Sequence, residues 1–255
     1  MNKGTLIAIP VHNEAENVAE VLERTRRFGA RILVVEDGST DGTEGVIARF
    51  PEVVCIRHPV NLGYGRSLKD AFDFAIQNDF LYVITLDADG QHVPELIPRF
   101  DELAPFFDIV SGSRYLLKGF DVLPPDVPPE RFYINLDMTA ILNRRFNLGI
   151  SDAFCGYKAY AVRLLRRLRL TEDGYAMPMQ LWAQAARLGF TIAEIPVPLI
   201  YKDARRSFGV QLDNPPERRR YYLEVFHRAL CGRLPGERRP EFTKCCSLDK
   251  NRCFI

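Results

Sequence analysis

Short segments of consecutive apolar residues alternate with longer amphipathic segments along the first half of the chain. The short segments are rich in Val and Ile, as buried strands are, whereas the longer segments repeat apolar residues at helical spacing. The predicted strands are residues 5–10, 31–36, 52–57, 80–86 and 108–113, and the predicted helices are 14–28, 42–50, 65–78 and 94–103. This alternation predicts an α/β fold with a mostly parallel central sheet and helices on both faces.

The alternation ends after residue 113. Four prolines between residues 114 and 130 indicate an irregular loop. The segments that follow predict helices at 130–146, 161–168 and 177–188, a strand at 191–197 and a final amphipathic helix at 216–230. We therefore expect a main domain of residues 1–210, a C-terminal amphipathic helix within residues 211–231, and a flexible tail of residues 232–255, which has no periodicity.

The composition excludes several classes of protein. The chain of 255 residues is 47% hydrophobic and 26% charged, which is typical of a globular protein and not of a disordered or collagenous one. Its longest apolar run, residues 80–86, is far shorter than the roughly 20 residues that cross a bilayer, and its first ten residues do not resemble a signal peptide. The six cysteines lack the spacing of a disulfide scaffold or a zinc knuckle, so we expect a cytoplasmic protein with reduced thiols.

The net charge of +1 conceals a basic C-terminal region. Residues 201–255 contain 13 Lys and Arg against 7 Asp and Glu. One interpretation is an ordinary solvated surface, and the other is attraction to phosphate groups on a membrane or a substrate. We expect no nucleic-acid partner.

Carboxylates follow the fourth predicted strand, and ligands bind beside strand ends in sheets of this type. Asp87, Asp89 and Gln91 are spaced two residues apart, so in extended backbone their side chains lie on the same side. Their oxygen atoms can then meet at one point, as ligands of a hard cation such as Mg²⁺. The alternative is a polar turn in which Asp87 or Asp89 caps the next helix.

The first two predicted strands also end in polar segments. Asp37, after the second strand, can accept hydrogen bonds from the base or ribose of a nucleotide, while nearby glycines allow close approach. After the first strand, Asn13 is a candidate helix cap and Glu14 is available to a nucleotide. Gly63 and Gly65 belong to a partial dinucleotide-binding motif that lacks its third glycine, which argues against a nicotinamide site.

Six segments carry motifs that occur in a fixed order along one family of proteins. They are residues 10–14 (PVHNE), 34–43 (VVEDGSTDGT), 87–92 (DADGQH), 112–115 (GSRY), 152–158 (DAFCGYK) and 194–197 (EIPV). Together they resemble glycosyltransferase family 2, which implies the GT-A fold, and the resemblance covers about residues 4–210. The later motifs are most similar to the dolichyl- and polyprenyl-phosphate sugar synthases. That similarity implies a metal-dependent, inverting, membrane-associated enzyme that moves mannose or glucose from GDP-mannose or UDP-glucose to a lipid phosphate.

The resemblance also implies roles for individual residues. Pro10, Asn13, Glu14, Asp37 and Asp87 would contact the nucleotide sugar, with Gly63 and Gly65 passing close to it. Asp87, Asp89 and Gln91 would bind Mg²⁺ or Mn²⁺. Arg114, Arg131 and Lys158, together with a basic loop of Arg205, Arg206 and Ser207, would hold the acceptor phosphate. The candidate catalytic residues are Asp89, Arg114, Arg131 and Asp152.

The nature of the acceptor determines which catalytic groups are needed. A phosphate monoester is already an anionic nucleophile, so the protein must only overcome the repulsion between two phosphate groups, for which arginine is well suited. A hydroxyl acceptor on a glycan or small molecule would need a general base, and Asp152 is the candidate. A nucleotide-binding module without turnover is a third alternative, and a nucleotide-sugar pyrophosphorylase is a weaker one because the N-terminus lacks the Gly-rich loop and Lys expected there.

The predicted C-terminal helix has two interpretations. Its arginines and aromatic residues can lie on anionic lipid at the cytoplasmic face of a membrane, or its apolar side can pack on the protein core. The periodicity favours the second interpretation. If a partner subunit attaches the protein to a membrane, this helix does not itself have to contact lipid.

Overall fold

One sheet and the helices on its two faces make up the computed structural model, which describes residues 4–117, 123, 127–200, 209, 212–232 and 234. The strands are β1 (Thr5–Val11), β2 (Arg31–Asp37), β3 (Val54–His58), β4 (Tyr82–Thr85), β5 (Ile109–Ser113), β6 (Lys158–Ala161) and β7 (Ile192–Pro196). The α-helices are α1 (Val18–Thr25), α2 (Thr43–Ile47), α3 (Tyr64–Gln77), α4 (Ile97–Leu103), α5 (Pro129–Phe146), α6 (Val162–Leu165), α7 (Met177–Arg187) and α8 (Pro215–Cys231). Nearly all of the predicted tail lies outside the described residues.

The strands form a single sheet in the order β3-β2-β1-β4-β6-β5-β7. All neighbouring strands are parallel except β6, which is antiparallel to both β4 and β5. The carboxyl ends of the parallel strands therefore share one edge, and β6 begins at that edge with Lys158 opposite Thr85 and Ser111. The predicted α/β fold with a mostly parallel sheet is confirmed, whereas β6 was not predicted.

The two faces of the sheet bury separate apolar clusters. Because successive residues of a strand point to opposite faces, Leu6 and Ala8 of β1 belong to one cluster, and Ile7 and Ile9 belong to the other. Helices α3, α5, α7 and α8 contribute to the first cluster, and α1 and α4 contribute to the second. The middle residues of β1 are buried on both faces of the sheet, which explains why its sequence is a continuous apolar run.

Helix α8 packs on the protein through its apolar side. Tyr222, Val225 and Phe226 are buried, and the Tyr222 ring stacks on Phe154 with 4.8 Å between ring centroids. Burial of such side chains stabilises the helix by about 2 kcal/mol each. This packing agrees with the core interpretation of α8 and leaves its apolar side unavailable to lipid.

The outer side of α8 carries arginines that pair with acidic residues. Arg219 pairs with Asp137 at 2.6 Å and Arg228 pairs with Glu172 at 3.1 Å. Exposed pairs of this kind contribute at most about 1 kcal/mol each, but they offset the positive charge that would attract anionic lipid. Within the described residues, none of the helices is both long enough and apolar enough to cross a bilayer.

Candidate active site

The loops that follow β1 and β2 are joined to each other by hydrogen bonds. The amide of Asn13 donates to Ser39 Oγ at 2.9 Å, and Asn13 Oδ1 accepts the amide of Thr40 at 2.8 Å. Helix α1 begins only at Val18, so the prediction that Asn13 caps it is wrong. With a φ of 55°, Asn13 instead links the two loops into one unit at the edge of the sheet.

Glu14 and Pro10 lie beneath these loops. Glu14 is 5% exposed; its amide donates to Thr43 Oγ1 at 2.9 Å, and its carboxylate accepts Asn17 Nδ2 at 2.9 Å. Pro10 lies within β1, opposite Val35 of β2. Glu14 therefore joins the loop after β1 to the first residue of α2, and direct contact of either residue with a nucleotide stays a prediction.

Asp37, at the end of β2, is 3% exposed and holds the turn that begins α3. Its Oδ1 accepts the amide of Leu62 at 2.7 Å, and its Oδ2 accepts the amide of Gly63 at 2.9 Å. His58, at the end of β3, contacts Asp37 Oδ1 through Nδ1 at 2.7 Å. The carboxylate therefore connects β2, β3 and the start of α3.

Gly63 and Gly65 approach a second segment of protein backbone. A Cβ on Gly63 would lie 2.4 Å from the carbonyl oxygen of Asp173, and a Cβ on Gly65 would lie 2.6 Å from that of Glu172. Gly63 also has a φ of +107°, which L side chains rarely adopt. The contact with residues 172–173 accounts for both glycines, and their closeness to a nucleotide stays a prediction.

Asp87 and Asp89 follow β4 at the same edge of the sheet as Asp37. Asp87 Oδ1 accepts the hydroxyl of Tyr64 at 3.2 Å, and the Asp87 amide donates to His92 Nδ1 at 2.9 Å. Asp89 Oδ1 accepts the amide of Gln91 at 2.9 Å. The loop therefore presents two carboxylates, one of them held from the side by the first residue of α3.

Two carboxylates in one short loop form a donor set that suits Mg²⁺ or Mn²⁺. Burial raises the pKa of Asp87 to about 6, because its charge is poorly solvated, and a bound cation would relieve that cost. The described part of the chain contains no group of three or more His, Cys, Asp or Glu positioned for an ion. Mg²⁺ is nevertheless commonly bound by one or two carboxylates together with substrate phosphates. The side chain of Gln91 as a third ligand stays a prediction.

Gly156, in the turn before β6, lies directly against the Asp87 carboxylate. A Cβ at this position would be 2.5 Å from Asp87 Oδ2 and 2.8 Å from the hydroxyl oxygen of Tyr64. Real Cβ atoms essentially never approach so closely, so a larger residue requires one of the two side chains to move. The glycine thus makes room for the carboxylate of the candidate metal site.

Gly156→Ala is expected to displace Asp87 or Tyr64 and to weaken Mn²⁺ binding by about tenfold, the usual effect of disturbing a ligand's support. Titration with Mn²⁺, followed by electron paramagnetic resonance of the free ion, measures this affinity. Gly45→Ala is the matched control, because Gly45 lies inside α2 with nothing within 4 Å of an added Cβ. Equal Mn²⁺ affinity in the two variants would contradict the assignment.

Arg114 and Asp152 form a bidentate ion pair behind the candidate metal site. Arg114 Nε and Nη2 donate to the two carboxylate oxygens of Asp152 at 2.6 Å and 2.9 Å. Asp152 is fully buried and also accepts Asn135 Nδ2 at 2.8 Å and the amides of Phe154 and Cys155, each at 3.1 Å. These contacts fix the turn that contains Gly156.

The environment of Asp152 argues against the role of general base that it was expected to have if the acceptor were a hydroxyl. Burial acts to raise its pKa, but the charge of Arg114 and the hydrogen bonds outweigh burial and hold the pKa at about 2. A base for proton transfer near neutral pH works best with a pKa near the operating pH. The structure therefore supports a fixed, ionised Asp152 that orients Arg114.

The other predicted acceptor residues have different surroundings. Lys158 is 3% exposed; its ammonium donates to the carbonyl of Cys155 and lies 5.5 Å from the ring centroid of Trp182. Burial lowers the pKa of Lys158. Arg131 lies in the first turn of α5 and is half-buried. The basic loop of Arg205, Arg206 and Ser207 lies outside the described residues.

The structure adds three residues to this edge of the sheet, of which Tyr64 and Tyr175 were not identified from the sequence and Glu194 lies in a motif. Tyr64 and Tyr175 stack with 5.9 Å between ring centroids and 13° between ring planes. Tyr175 is 38% exposed, and its pKa is raised by burial and by the charges of Asp87 and Asp37. Glu194 accepts the amide of Ser151 at 2.8 Å and so supports the segment that contains Asp152. The motif at 194–197 pointed to Glu194, whereas no local pattern pointed to either tyrosine.

Sequence comparisons relate this chain to known proteins. A family model described as glycosyl transferase family 2 matches residues 6–169. The chain is 28% identical over 245 residues to polyprenol monophosphomannose synthase of Mycolicibacterium smegmatis, covering 92% of this chain and 90% of the relative. It is 29% identical over 211 residues to undecaprenyl-phosphate mannosyltransferase of Micrococcus luteus, covering 79% and 86%.

A solved structure shares the fold. Glucosyl-3-phosphoglycerate synthase of Mycobacterium tuberculosis, in complex with Mn²⁺, uridine diphosphate and phosphoglyceric acid, superposes with a TM-score of 0.67 at 18% identity. The similarity covers 88% of this chain and 78% of that protein. At this level of identity the likeness establishes the GT-A fold.

Proposed function

Because this chain belongs to glycosyl transferase family 2, we propose that it transfers a hexose, mannose or glucose, from a nucleoside-diphosphate sugar to a polyprenyl or dolichyl phosphate. The two relatives are named for mannose transfer to polyprenol and to undecaprenyl phosphate, which supports a lipid acceptor and makes GDP-mannose the first donor to test. UDP-glucose is the second donor to test, since uridine diphosphate occupies a protein of the same fold.

The donor side of the proposed site lies between Asp37 and the loop after β4. Pro10, Asn13, Glu14 and Asp37 would line the nucleotide end, and Asp87 and Asp89 would hold Mg²⁺ or Mn²⁺ at the diphosphate end. When bound, such an ion neutralises the charge that develops on the departing diphosphate. The complex with Mn²⁺ in the solved structure supports this choice of ion.

The burial of Asp152 and its bidentate pairing with Arg114 are the observations that support the choice of acceptor. A hydroxyl acceptor requires a base, and the carboxylate predicted for that task is buried and bound by Arg114. An acceptor phosphate brings its own anionic oxygen, which forms the new bond to the anomeric carbon while the bond to the diphosphate breaks. No proton has to move, and attack from the opposite face inverts the configuration.

Cationic residues would reduce the repulsion between the two phosphate groups. Arg131 and Lys158 are the candidates near the start of α5 and β6, and Arg114 would contribute its charge while it remains paired with Asp152. Arg205, Arg206 and Ser207 would complete the acceptor side. We propose that the enzyme works at the cytoplasmic face of a membrane, where its acceptor resides, by surface contact or through a membrane partner subunit.

The proposal is tested by incubating the protein with polyprenyl phosphate, Mg²⁺ or Mn²⁺, and either labelled GDP-mannose or labelled UDP-glucose. Transfer to lipid moves the label into the organic phase, and we expect this for one of the two donors. A parallel reaction with polyprenol, which has the same lipid chain but a hydroxyl in place of the phosphate, is expected to give no labelled lipid. Labelled product from polyprenol or only in the aqueous phase would contradict the proposal.

A further inference from the structure

A buried histidine lies between two carboxylates beside the proposed nucleotide site. His58 is 8% exposed, and its Nδ1 lies 2.7 Å from Asp37 Oδ1 while its Nε2 lies 2.8 Å from Asp70 Oδ2. An ionised carboxylate accepts hydrogen bonds and cannot donate them. A ring N–H that faces either carboxylate is therefore the donor, and the imidazole bridges the two acids.

The bridge joins three elements of the fold. Asp37 ends β2, His58 ends β3, and Asp70 lies one and a half turns into α3, where Arg66 Nε also donates to its Oδ2 at 2.8 Å. Charge-assisted hydrogen bonds are the stronger and shorter kind, so this arrangement resists rotation of the Asp37 carboxylate. His58 itself lies behind Asp37 and has no place in the donor contacts proposed above.

The same carboxylate also controls the start of α3. Asp37 accepts the amides of Leu62 and Gly63, and the next residue, Tyr64, donates its hydroxyl to Asp87 at 3.2 Å. A continuous series of contacts thus runs from Asp70 through His58 and Asp37 to the Asp87 carboxylate. The nucleotide end and the diphosphate end of the proposed site share one support.

We infer that His58 is a positioning residue of the donor site, which holds Asp37 and the turn at residues 61–63 in the orientation that binds the nucleoside diphosphate. This inference rests on the proposed function, because it assumes a nucleotide beside Asp37. It assigns no chemical step to His58, whose effect reaches the donor through Asp37 alone.

Two variants and their combination test the inference. His58→Gln replaces the two opposed ring nitrogens by a shorter polar group that cannot bridge both carboxylates, and Asp70→Asn removes the outer charge without touching Asp37. Loss of a charge-assisted hydrogen bond corresponds to about a tenfold or larger effect, so we expect the donor KM of His58→Gln to rise about tenfold. We expect its kcat and acceptor KM to stay within about twofold of wild type.

The double variant shows whether His58 and Asp70 act on donor binding through one hydrogen-bond network or independently. Residues in one hydrogen-bond network are non-additive, so the double variant is expected to bind the donor no more weakly than His58→Gln alone. Calorimetric titration with GDP or UDP in the presence of Mn²⁺ gives the same comparison without turnover. If His58→Gln fails to fold, Asp70→Asn decides the question by the same measurements.

Asp108→Asn is the matched control for a purely structural effect. Asp108 accepts the amide and hydroxyl of Thr191 at 2.9 Å and 3.0 Å and pairs with Arg163 at 2.6 Å, but it precedes β5 at the opposite edge of the sheet. We expect this variant to lower the melting temperature without changing the donor KM. A folded His58→Gln that behaves in the same way would overturn the inference. A wild-type protein that binds neither nucleotide would instead overturn the proposed function.

Discussion

Replacement of Asp89 by alanine is expected to reduce sugar transfer by about a thousandfold or more. Asp89 is one of the two carboxylates of the candidate metal site, and loss of charge neutralisation at a leaving diphosphate removes several kcal/mol of transition-state stabilisation. Its hydrogen bond with the amide of Gln91 lies within a turn and is worth about 1 kcal/mol. The turnover number is measured across a titration of Mn²⁺, with circular dichroism as the test of folding.

Asp73→Ala is the control for the loss of one negative charge at a position that holds no candidate ligand. Asp73 is exposed on α3, the helix whose first residue contacts Asp87. Its replacement by alanine removes the same charge as Asp89→Ala without removing a candidate ligand. Transfer by this variant should stay within about twofold of wild type. An Asp89→Ala protein that keeps a tenth of wild-type turnover at saturating Mn²⁺ would exclude Asp89 as a ligand.

Burial on both faces made β1 and β2 predictable from the sequence, but it did not do so for β6, which is also buried at every position. β1 and β2 are continuous apolar runs because helices cover the sheet on both sides, and such runs are visible in sequence. β6 has only four residues, KAYA, and begins with a lysine, so it has neither the length nor the composition of a typical strand. β6 is buried because it lies between β4 and β5 in the sheet. The order of strands in a sheet cannot be predicted from a local sequence pattern.

The site residues that were predicted follow from local patterns, whereas those that were missed depend on contacts between distant segments. Asp37, Asp87 and Asp89 follow parallel strands, and the rule that such strand ends share one edge was sufficient to bring them together. The groups that hold them come from distant segments: Tyr64 lies 23 positions before Asp87, and Gly156 approaches Asp87 from the turn before β6. Contacts of this kind depend on the packing of whole elements, which no short motif specifies.

Gly63 and Gly65 were identified from the sequence, but the contact that the structure shows for them differs from the one that was expected. Their position in a glycine-rich turn before a helix suggested close approach to a ligand. In the structure the atoms nearest to an added Cβ belong to the backbone of residues 172–174. A glycine in a sequence can indicate that its position lacks room for a side chain, but it does not show which group lies against it.

Asp152→Asn is expected to destabilise the protein by about 3 to 5 kcal/mol, because it leaves the largely buried Arg114 without its counter-charge. The asparagine amide would also present a donor where Arg114 already donates. Chemical denaturation at neutral pH measures this loss. The double variant Arg114→Met with Asp152→Asn is expected to recover part of it, since removing both charges of a buried pair costs less than removing one. No recovery in the double variant would mean that the other hydrogen bonds of Asp152 dominate.

The pH dependence of stability tests the same pair without mutation of Arg114. The pKa of Asp152 is lowered in the folded state to about 2, so its stabilising contribution is complete above the unfolded value near 4 and is lost as the pH falls towards 2. The shift corresponds to about 2 kcal/mol. Wild type should therefore lose about this much more stability than Asp152→Asn between pH 5 and pH 2, because the variant has no proton to take up at this position. Parallel curves for the two proteins would show that Asp152 is not held ionised, and would restore it as a candidate base for a hydroxyl acceptor.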